Sequence, residues 1–148
     1  MVDVINLQRR IKLDLDPIRA FVADAAAKVS EADCKKFSVA FISDDRMRKL
    51  NHAFRGKDAT TDVLSFPHEP DEYELIDDDP SHGAGFLGDI VISAEQARKQ
   101  ATENDLSIED EIKQLILHGL LHLCGYDHES DSGEMNAREI ELRENLGI

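Results

Sequence analysis

The sequence predicts an α+β fold, a four-stranded mixed sheet with about five helices packed against it. Two observations predict this class. Four short strand-like segments are spread along the chain, and amphipathic segments with helical spacing of apolar residues come between and after them. The length of 148 residues predicts a single domain over residues 1–148, long enough to bury its own hydrophobic core.

The four predicted strands share a short apolar run that is bounded by polar residues or glycine. They are VDVINL at 2–7, FSVAFIS at 37–43, TDVLSF at 61–66 and FLGDIVIS at 86–93.

Most of the predicted helices open at a residue that can accept hydrogen bonds from the first free N–H groups. In the first helix we expect Asp16 as the N-cap and Pro17 at the first helical position, before an Ala-rich run to about Val29. The remaining helices are expected from Ser43 to about Phe54, from Ser93 to about Asn104, from Ser107 to Gly125 and from Gly133 to Asn145.

The charge of the chain is strongly negative and unevenly distributed. There are 17 Lys and Arg against 31 Asp and Glu, a net charge of −14, which argues against non-specific binding to polyanions. Residues 69–79, in a segment predicted to be a long loop, contain seven acids and no base. A local basic face is still predicted between residues 46 and 57, which contain no acid. Its members are Arg46, Arg48, Lys49, Arg55 and Lys57.

Nothing in the sequence predicts export or membrane insertion. No apolar run approaches the roughly 20 residues that span a bilayer, and the start of the chain lacks the pattern of a signal peptide. We therefore expect a cytoplasmic protein whose two cysteines, Cys34 and Cys124, are reduced thiols.

The strongest chemical signal lies in the fourth predicted helix and its exit. His118 and His122 are one helical turn apart on the same face, so both imidazoles can reach one point. Gly125 allows the chain to turn back, which can bring His128 to that point. Three neutral imidazoles and an open position are typical of a catalytic zinc site. The alternative is that these are ordinary core or surface histidines.

This helix is similar to the HExxH helix of zinc peptidases, with one departure. Position 119 is glycine, whereas the peptidases have a glutamate there as general base. Asp127 is the nearest acid. It could act as a base, orient a histidine, or only shape the turn after Gly125.

A second cluster of candidate residues lies in the segment 50–67. Arg55 is expected at the end of a helix, before a small flexible turn, where a guanidinium can hold a phosphate with two hydrogen bonds. The alternative is that Arg55 only interacts with the helix dipole.

Three sequence blocks together make the chain resemble the YbeY family of bacterial rRNA maturation endoribonucleases. They are LNHAFRGKDATTDVLSFP at 50–67, FLGDIVIS at 86–93 and HGLLHLCGYDH at 118–128. The resemblance implies a zinc-dependent, single-strand-specific endoribonuclease that acts in 3′-end maturation of small-subunit (16S) rRNA and in ribosome quality control. It also implies one Zn²⁺ per chain, held by His118, His122 and His128, and a functional role for Arg55.

Together, the residues and the resemblance give a set of expected roles. Arg55 and His118 are the expected catalytic residues, and Arg55, Arg48 and Lys57 are expected to bind substrate. The expected partners are single-stranded rRNA and the ribosome or small-subunit assembly factors, with no membrane and no DNA. Whether water or the RNA 2′-hydroxyl is the nucleophile stays open. Two alternatives also remain: a ribosome-assembly factor with a mainly structural zinc, and a zinc hydrolase with a non-RNA substrate.

Overall fold

The computed structural model describes residues 4–68, 85–127 and 129–148, and these confirm the α+β class with a four-stranded mixed sheet and five α-helices. The acidic stretch 69–79 lies outside the described residues. In chain order the elements are β1 Val4–Asn6, α1 Leu15–Lys28, a 3₁₀ turn Ser30–Ala32, β2 Lys36–Ile42, α2 Asp44–Arg55, β3 Val63–Pro67, β4 Phe86–Ser93, α3 Ala94–Glu103, α4 Ile108–Leu123 and α5 Glu134–Leu146.

The sheet has the order β1-β2-β4-β3, which puts β3 at one edge. β1 and β4 both run parallel to β2, whereas β3 runs antiparallel to β4 with Val63 opposite Ile92 and Pro67 opposite Gly88. One side of β3 is therefore paired, and the other borders the site described below.

Helices cover both faces of the sheet. Alternate residues of a strand point to opposite faces, and accordingly Phe41 joins the larger apolar cluster and Ile42 the smaller one. The larger cluster contains residues of α1, α4 and α5, while the smaller is formed with Met47 of α2 and Leu64 of β3. Helix α4 is buried around most of its circumference, because leucines and isoleucines occupy more than one of its faces.

Three of the predicted N-caps are confirmed. The side-chain hydroxyl of Ser43 accepts a hydrogen bond from the N–H of Arg46 at 3.3 Å. Ser93 and Ser107 do the same at the starts of α3 and α4, at 3.2 Å and 3.1 Å.

The predicted start of α1 was wrong by two residues. Asp14 is the N-cap, and its Oδ1 accepts a hydrogen bond from the N–H of Asp16 at 3.1 Å. Pro17 is therefore the third helical residue. It is tolerated there because the first N–H groups of a helix have no partner within the helix.

The end of α4 is closed by a pair of backbone hydrogen bonds around Gly125. This glycine has φ +102°, its N–H donates to the carbonyl of His122 at 3.0 Å, and the N–H of Tyr126 donates to the carbonyl of Leu121 at 3.1 Å. The two bonds form a Schellman motif, which reverses the chain directly after the histidine-bearing helix.

No helix within the described ranges is long and apolar enough to cross a membrane.

Candidate active site

Two histidine side chains of α4 converge on one point. The Nε2 atoms of His118 and His122 lie 3.2 Å apart, and the rings meet edge to face with their centroids 4.8 Å apart. The regular spacing of four residues on a helix produces this convergence.

The outer nitrogens of both rings face acceptors. Nδ1 of His122 lies 3.0 Å from the carbonyl oxygen of Tyr126, and Nδ1 of His118 lies 3.6 Å from Oε2 of Glu139. Because a carbonyl can only accept, the neutral His122 ring carries its hydrogen on Nδ1 and turns the lone pair of Nε2 toward His118. Glu139 favours the same tautomer in His118.

This arrangement fits a bound metal ion. Two nitrogens that each lie about 2.0–2.1 Å from a tetrahedral zinc are separated by about 3.3 Å, close to the 3.2 Å between these two Nε2 atoms. Histidine ligands of metals usually donate their other N–H to a carbonyl or carboxylate. His122 does so here, and Nδ1 of His118 faces the carboxylate of Glu139 at 3.6 Å.

The third expected ligand, His128, lies outside the described residues. Among the residues that are described, no group of three His, Cys, Asp or Glu side chains could hold a metal ion. The three-histidine ligand set therefore stays a prediction.

Glu139 is a site residue that the sequence analysis missed. It lies on α5 and is 9% exposed, and its Oε1 lies 3.4 Å from Nη2 of Arg143. Burial alone would raise the pKa of Glu139, but His118 and Arg143 outweigh burial and hold that pKa below its usual range. The available signal was its position between Met135 and Leu142, both buried, on the inner face of α5.

The turn after α4 is held in place by a partly buried ion pair between Glu31 and Arg138. The Tyr126 hydroxyl donates to Oε2 of Glu31 at 2.7 Å, and Arg138 donates two hydrogen bonds to the same carboxylate, both at 2.8 Å. The Arg138 guanidinium above all, and then the Tyr126 hydroxyl, lower the pKa of Glu31 from 4.5 to about 2 against the opposing effect of burial. Tyr126, whose carbonyl contacts His122, is thus held in place by the 3₁₀ turn and α5.

The histidines open into a cleft of about 620 Å³ beside the edge strand β3. Arg55 and Lys57 line it too, and within residues 4–68, 85–127 and 129–148 neither cation forms an ion pair. The other lining residues are Thr61, Asp62, Val63, Leu64, Ser65, Pro67, Asp127 and Glu129.

The structure places Arg48 outside this cleft. It lines a second cavity of about 340 Å³ and binds Asp58 through Nε at 2.9 Å and Nη2 at 3.2 Å. Of the five expected basic residues, Arg46 and Lys49 line neither cavity.

Arg48 instead helps to hold the loop that carries Lys57. Besides the Arg48–Asp58 pair, Nδ2 of Asn51 donates to the carbonyl of Ala59 at 2.8 Å. At the end of the loop the Thr60 hydroxyl donates to Oδ1 of Asp44 at 2.6 Å. These contacts tie the start and the middle of α2 to the loop and fix where the loop enters the cleft.

Gly119 is required by packing between α4 and the sheet. A Cβ atom at this position would lie 2.9 Å from Cγ2 of Ile90 and 3.1 Å from the Ser65 hydroxyl. Position 119 therefore faces the sheet, and any side chain there would have to displace the side chain of Ile90.

Asp127 shapes the turn that follows Gly125. Its Oδ1 accepts from the N–H of Glu129 at 3.0 Å, and its Oδ2 accepts from the Ser130 hydroxyl at 3.1 Å. The residue also lines the cleft, so turn formation and a position beside the histidines are combined in one side chain.

Fold and site together define a class of protein: an α+β domain with two histidines on a buried helix, beside an edge strand and a cleft lined by both cations and carboxylates. The family model that matches the chain is that of endoribonuclease YbeY, over residues 3–147. The chain belongs to this family.

Individual relatives agree with that assignment. The chain is 46% identical over 114 residues to endoribonuclease YbeY of Nautilia profundicola, covering 77% of this chain and 74% of the relative. It is 37% identical over 150 residues to endoribonuclease YbeY of a Sulfurovum species, covering 100% and 94%. The solution structure of TM1509 from Thermotoga maritima matches with a TM-score of 0.61 at 27% identity, covering 99% of this chain and 89% of that one.

Proposed function

We propose that the protein is a zinc-dependent, single-strand-specific endoribonuclease that acts in 3′-end maturation of small-subunit rRNA and in ribosome quality control. Residues 1–148 act as one catalytic domain. The observation that carries the proposal is the convergence of the His118 and His122 Nε2 atoms, 3.2 Å apart, in a cleft that also contains Arg55 and Lys57.

One zinc ion per chain is held by His118, His122 and His128. When bound, zinc supplies a Lewis acid for the phosphodiester and lowers the pKa of water to about 7. The carbonyl of Tyr126 and the carboxylate of Glu139 keep the two α4 histidines in the tautomer that binds metal.

Arg55 binds the phosphate of the substrate and stabilises the extra negative charge that develops in the transition state. Lys57 attracts the neighbouring phosphate as a point charge. Both cations are available for this role because neither forms an ion pair with an acid among the described residues.

The substrate is single-stranded rRNA, and the site of action is the cytoplasm. A protein of net charge −14 has weak intrinsic affinity for RNA. The ribosome or a small-subunit assembly factor therefore supplies much of the targeting, and neither DNA nor a membrane is a partner.

The test is cleavage of a single-stranded RNA that matches the 3′ end of small-subunit rRNA. Wild type, His122→Ala and His52→Ala are purified in parallel and their zinc content is measured. His52 is the matched control, an exposed histidine of α2 that does not line the cleft. We expect zinc binding and cleavage in wild type and His52→Ala, and neither in His122→Ala.

Two results would overturn the proposal. Equal cleavage by all three proteins would mean that the activity does not use this site. Zinc binding without cleavage in wild type would favour an assembly factor whose zinc is mainly structural.

A further inference from the structure

Phe54 is an aromatic side chain that the proposed mechanism does not use. It is the most exposed large hydrophobic residue within the described ranges, with 66% of its surface open to solvent. Neighbouring apolar residues of α2 behave differently, since Met47 is buried and Leu50 is partly buried against the sheet. The other large apolar side chains of α2 are thus buried or partly buried, and the exposure of Phe54 is an exception to the amphipathic pattern of this helix.

A second aromatic residue fixes the position of the exposed ring. Phe66 of β3 lies edge to face with Phe54, with the centroids 5.1 Å apart and the rings at 72°. Phe66 itself packs against the smaller apolar cluster on the α2 face of the sheet. Phe54 thus presents a preoriented aromatic surface, and little conformational entropy is lost when a ligand binds to it.

This surface lies next to the cleft. Phe54 directly precedes Arg55, and Phe66 lies in β3 between Ser65 and Pro67, which both line the cleft. The Ser65 hydroxyl donates to the carbonyl of Gly119 on α4, so Ser65 points to the histidine side of the sheet and Phe66 to the other. The aromatic pair and the histidines therefore lie on opposite sides of the same edge strand.

We propose that Phe54 is a stacking platform for an RNA base adjacent to the phosphate held in the cleft. The nucleic acid crosses the edge of β3, with a phosphate at Arg55 and the neighbouring base on the Phe54 ring. Cationic grooves that follow the backbone, combined with aromatic rings that stack bases, are the common basis of single-strand binding.

The platform explains the restriction to single strands. A base in a duplex is already paired and stacked, so it would have to be unpaired and unstacked before it could lie on a ring, whereas a base in a single strand is already accessible. Stacking is also tolerant of sequence, because every base has a flat aromatic face. The inference rests on the proposed function and adds a subsite to it.

The first experiment measures the dissociation constant of a labelled, 2′-O-methylated single-stranded RNA for the zinc-loaded protein. Phe54→Ala is expected to weaken binding about tenfold. Phe54→Leu, which keeps an apolar side chain without a ring, should weaken it nearly as much, whereas Phe54→Tyr should bind like wild type. Ile140→Ala is the matched control, because Ile140 is 52% exposed on α5 and does not line the cleft.

The second experiment removes the base instead of the ring and leaves the wild-type protein intact. A series of RNAs carries one abasic nucleotide each, at successive positions. We expect one position at which the abasic change weakens wild-type binding about tenfold but adds nothing to the effect of Phe54→Ala.

The outcomes separate this inference from the proposed function. Wild-type affinity in Phe54→Leu, or abasic effects that add fully to Phe54→Ala at every position, would overturn the platform while leaving the nuclease assignment intact. If wild type neither binds nor cuts single-stranded RNA, both proposals fail together. If the wild-type protein binds single-stranded RNA without cutting it, the binding measurements on the Phe54 variants still show whether Phe54 stacks on a base.

Discussion

Glu139 is buried behind His118, where it faces the nitrogen that does not take part in the convergence with His122. A carboxylate in this position fixes the orientation of the ring and makes the opposite nitrogen a better electron donor. The lowered pKa of Glu139 keeps it ionised at neutral pH. In the proposed site, its contribution would thus be to metal affinity, at a distance from the substrate.

We therefore expect Glu139→Gln to lower the affinity for zinc about 10- to 100-fold, because the neutral amide keeps the shape but loses the charge. Competition with a chromophoric zinc chelator measures this affinity. Glu144→Gln is the control, since Glu144 is exposed on the same helix. Equal zinc affinity in wild type and Glu139→Gln would show that the carboxylate does not support the ligand.

The two cysteines are free thiols in different environments. Cys34 is exposed, whereas Cys124 is partly buried at the end of α4. Burial above all, with the negative charge of Glu31, raises the pKa of Cys124 to about 11. Because the thiolate is the reactive form, Cys124 should be inert at neutral pH.

At pH 8 an aromatic disulfide reagent is accordingly expected to modify one thiol quickly and the second only after unfolding. In Cys34→Ser the fast phase should disappear, and in Cys124→Ser it should remain. Two fast phases in the folded wild-type protein would contradict the low reactivity expected of the partly buried Cys124.

At the scale of elements, the contact between the 3₁₀ turn, α5 and the exit of α4 holds in place the turn that follows the histidine-bearing helix. Glu31 lies 95 residues from Tyr126 and 107 residues from Arg138 in sequence, yet its carboxylate binds both. The contact therefore links the first third of the chain to the site.

This contact should make stability depend on acid pH. The pKa of Glu31 is lowered from 4.5 to about 2, so its contribution to stability is complete above about pH 4.5 and is lost as the pH falls toward 2. Glu31→Gln should be less stable than wild type at pH 7, by about 1 kcal/mol, with the difference disappearing near pH 2. Urea unfolding at a series of pH values measures this, with the exposed Glu103→Gln as control. A difference that is constant from pH 7 to pH 2 would contradict the assignment.

Signals between residues close in sequence predicted the helices and strands, whereas contacts between residues distant in sequence could not be predicted from such signals. Ser43, Ser93 and Ser107 were found as caps because each interacts with a residue three positions later. The start of α1 was misplaced because Asp14 and Asp16 are both suitable caps, and only the folded chain shows which one is used. Glu31 and Glu139 were missed because their partners are remote in sequence, and His128 remains untested.

At the scale of the whole molecule, a chain of net charge −14 places Arg55 and Lys57 in one cleft, where neither forms an ion pair with a described residue although Asp62, Asp127 and Glu129 also line the cleft. Arg48, by contrast, is held by Asp58 at the second cavity. The local field in the cleft, and not the charge of the surface as a whole, should therefore govern the approach of RNA.

The salt dependence of RNA binding tests this directly. Lys57→Ala should reduce the slope of log K against log salt by about 0.7, the value for one phosphate contact on a single strand. Arg46→Ala is the control, because Arg46 lines neither cavity and its loss should leave the slope unchanged. Equal slopes in wild type and Lys57→Ala would mean that Lys57 contacts no phosphate.

Gly119 has a consequence for how this fold can change over evolutionary time. A single substitution to glutamate would recreate the HExxH pattern of a peptidase in the sequence, but the new side chain would start 2.9 Å from Cγ2 of Ile90. A viable route would need Ile90 to become smaller first, and that intermediate would lose core packing before any new activity appeared. The close packing of α4 on the sheet thus opposes a change between two kinds of active site whose motifs differ at one residue.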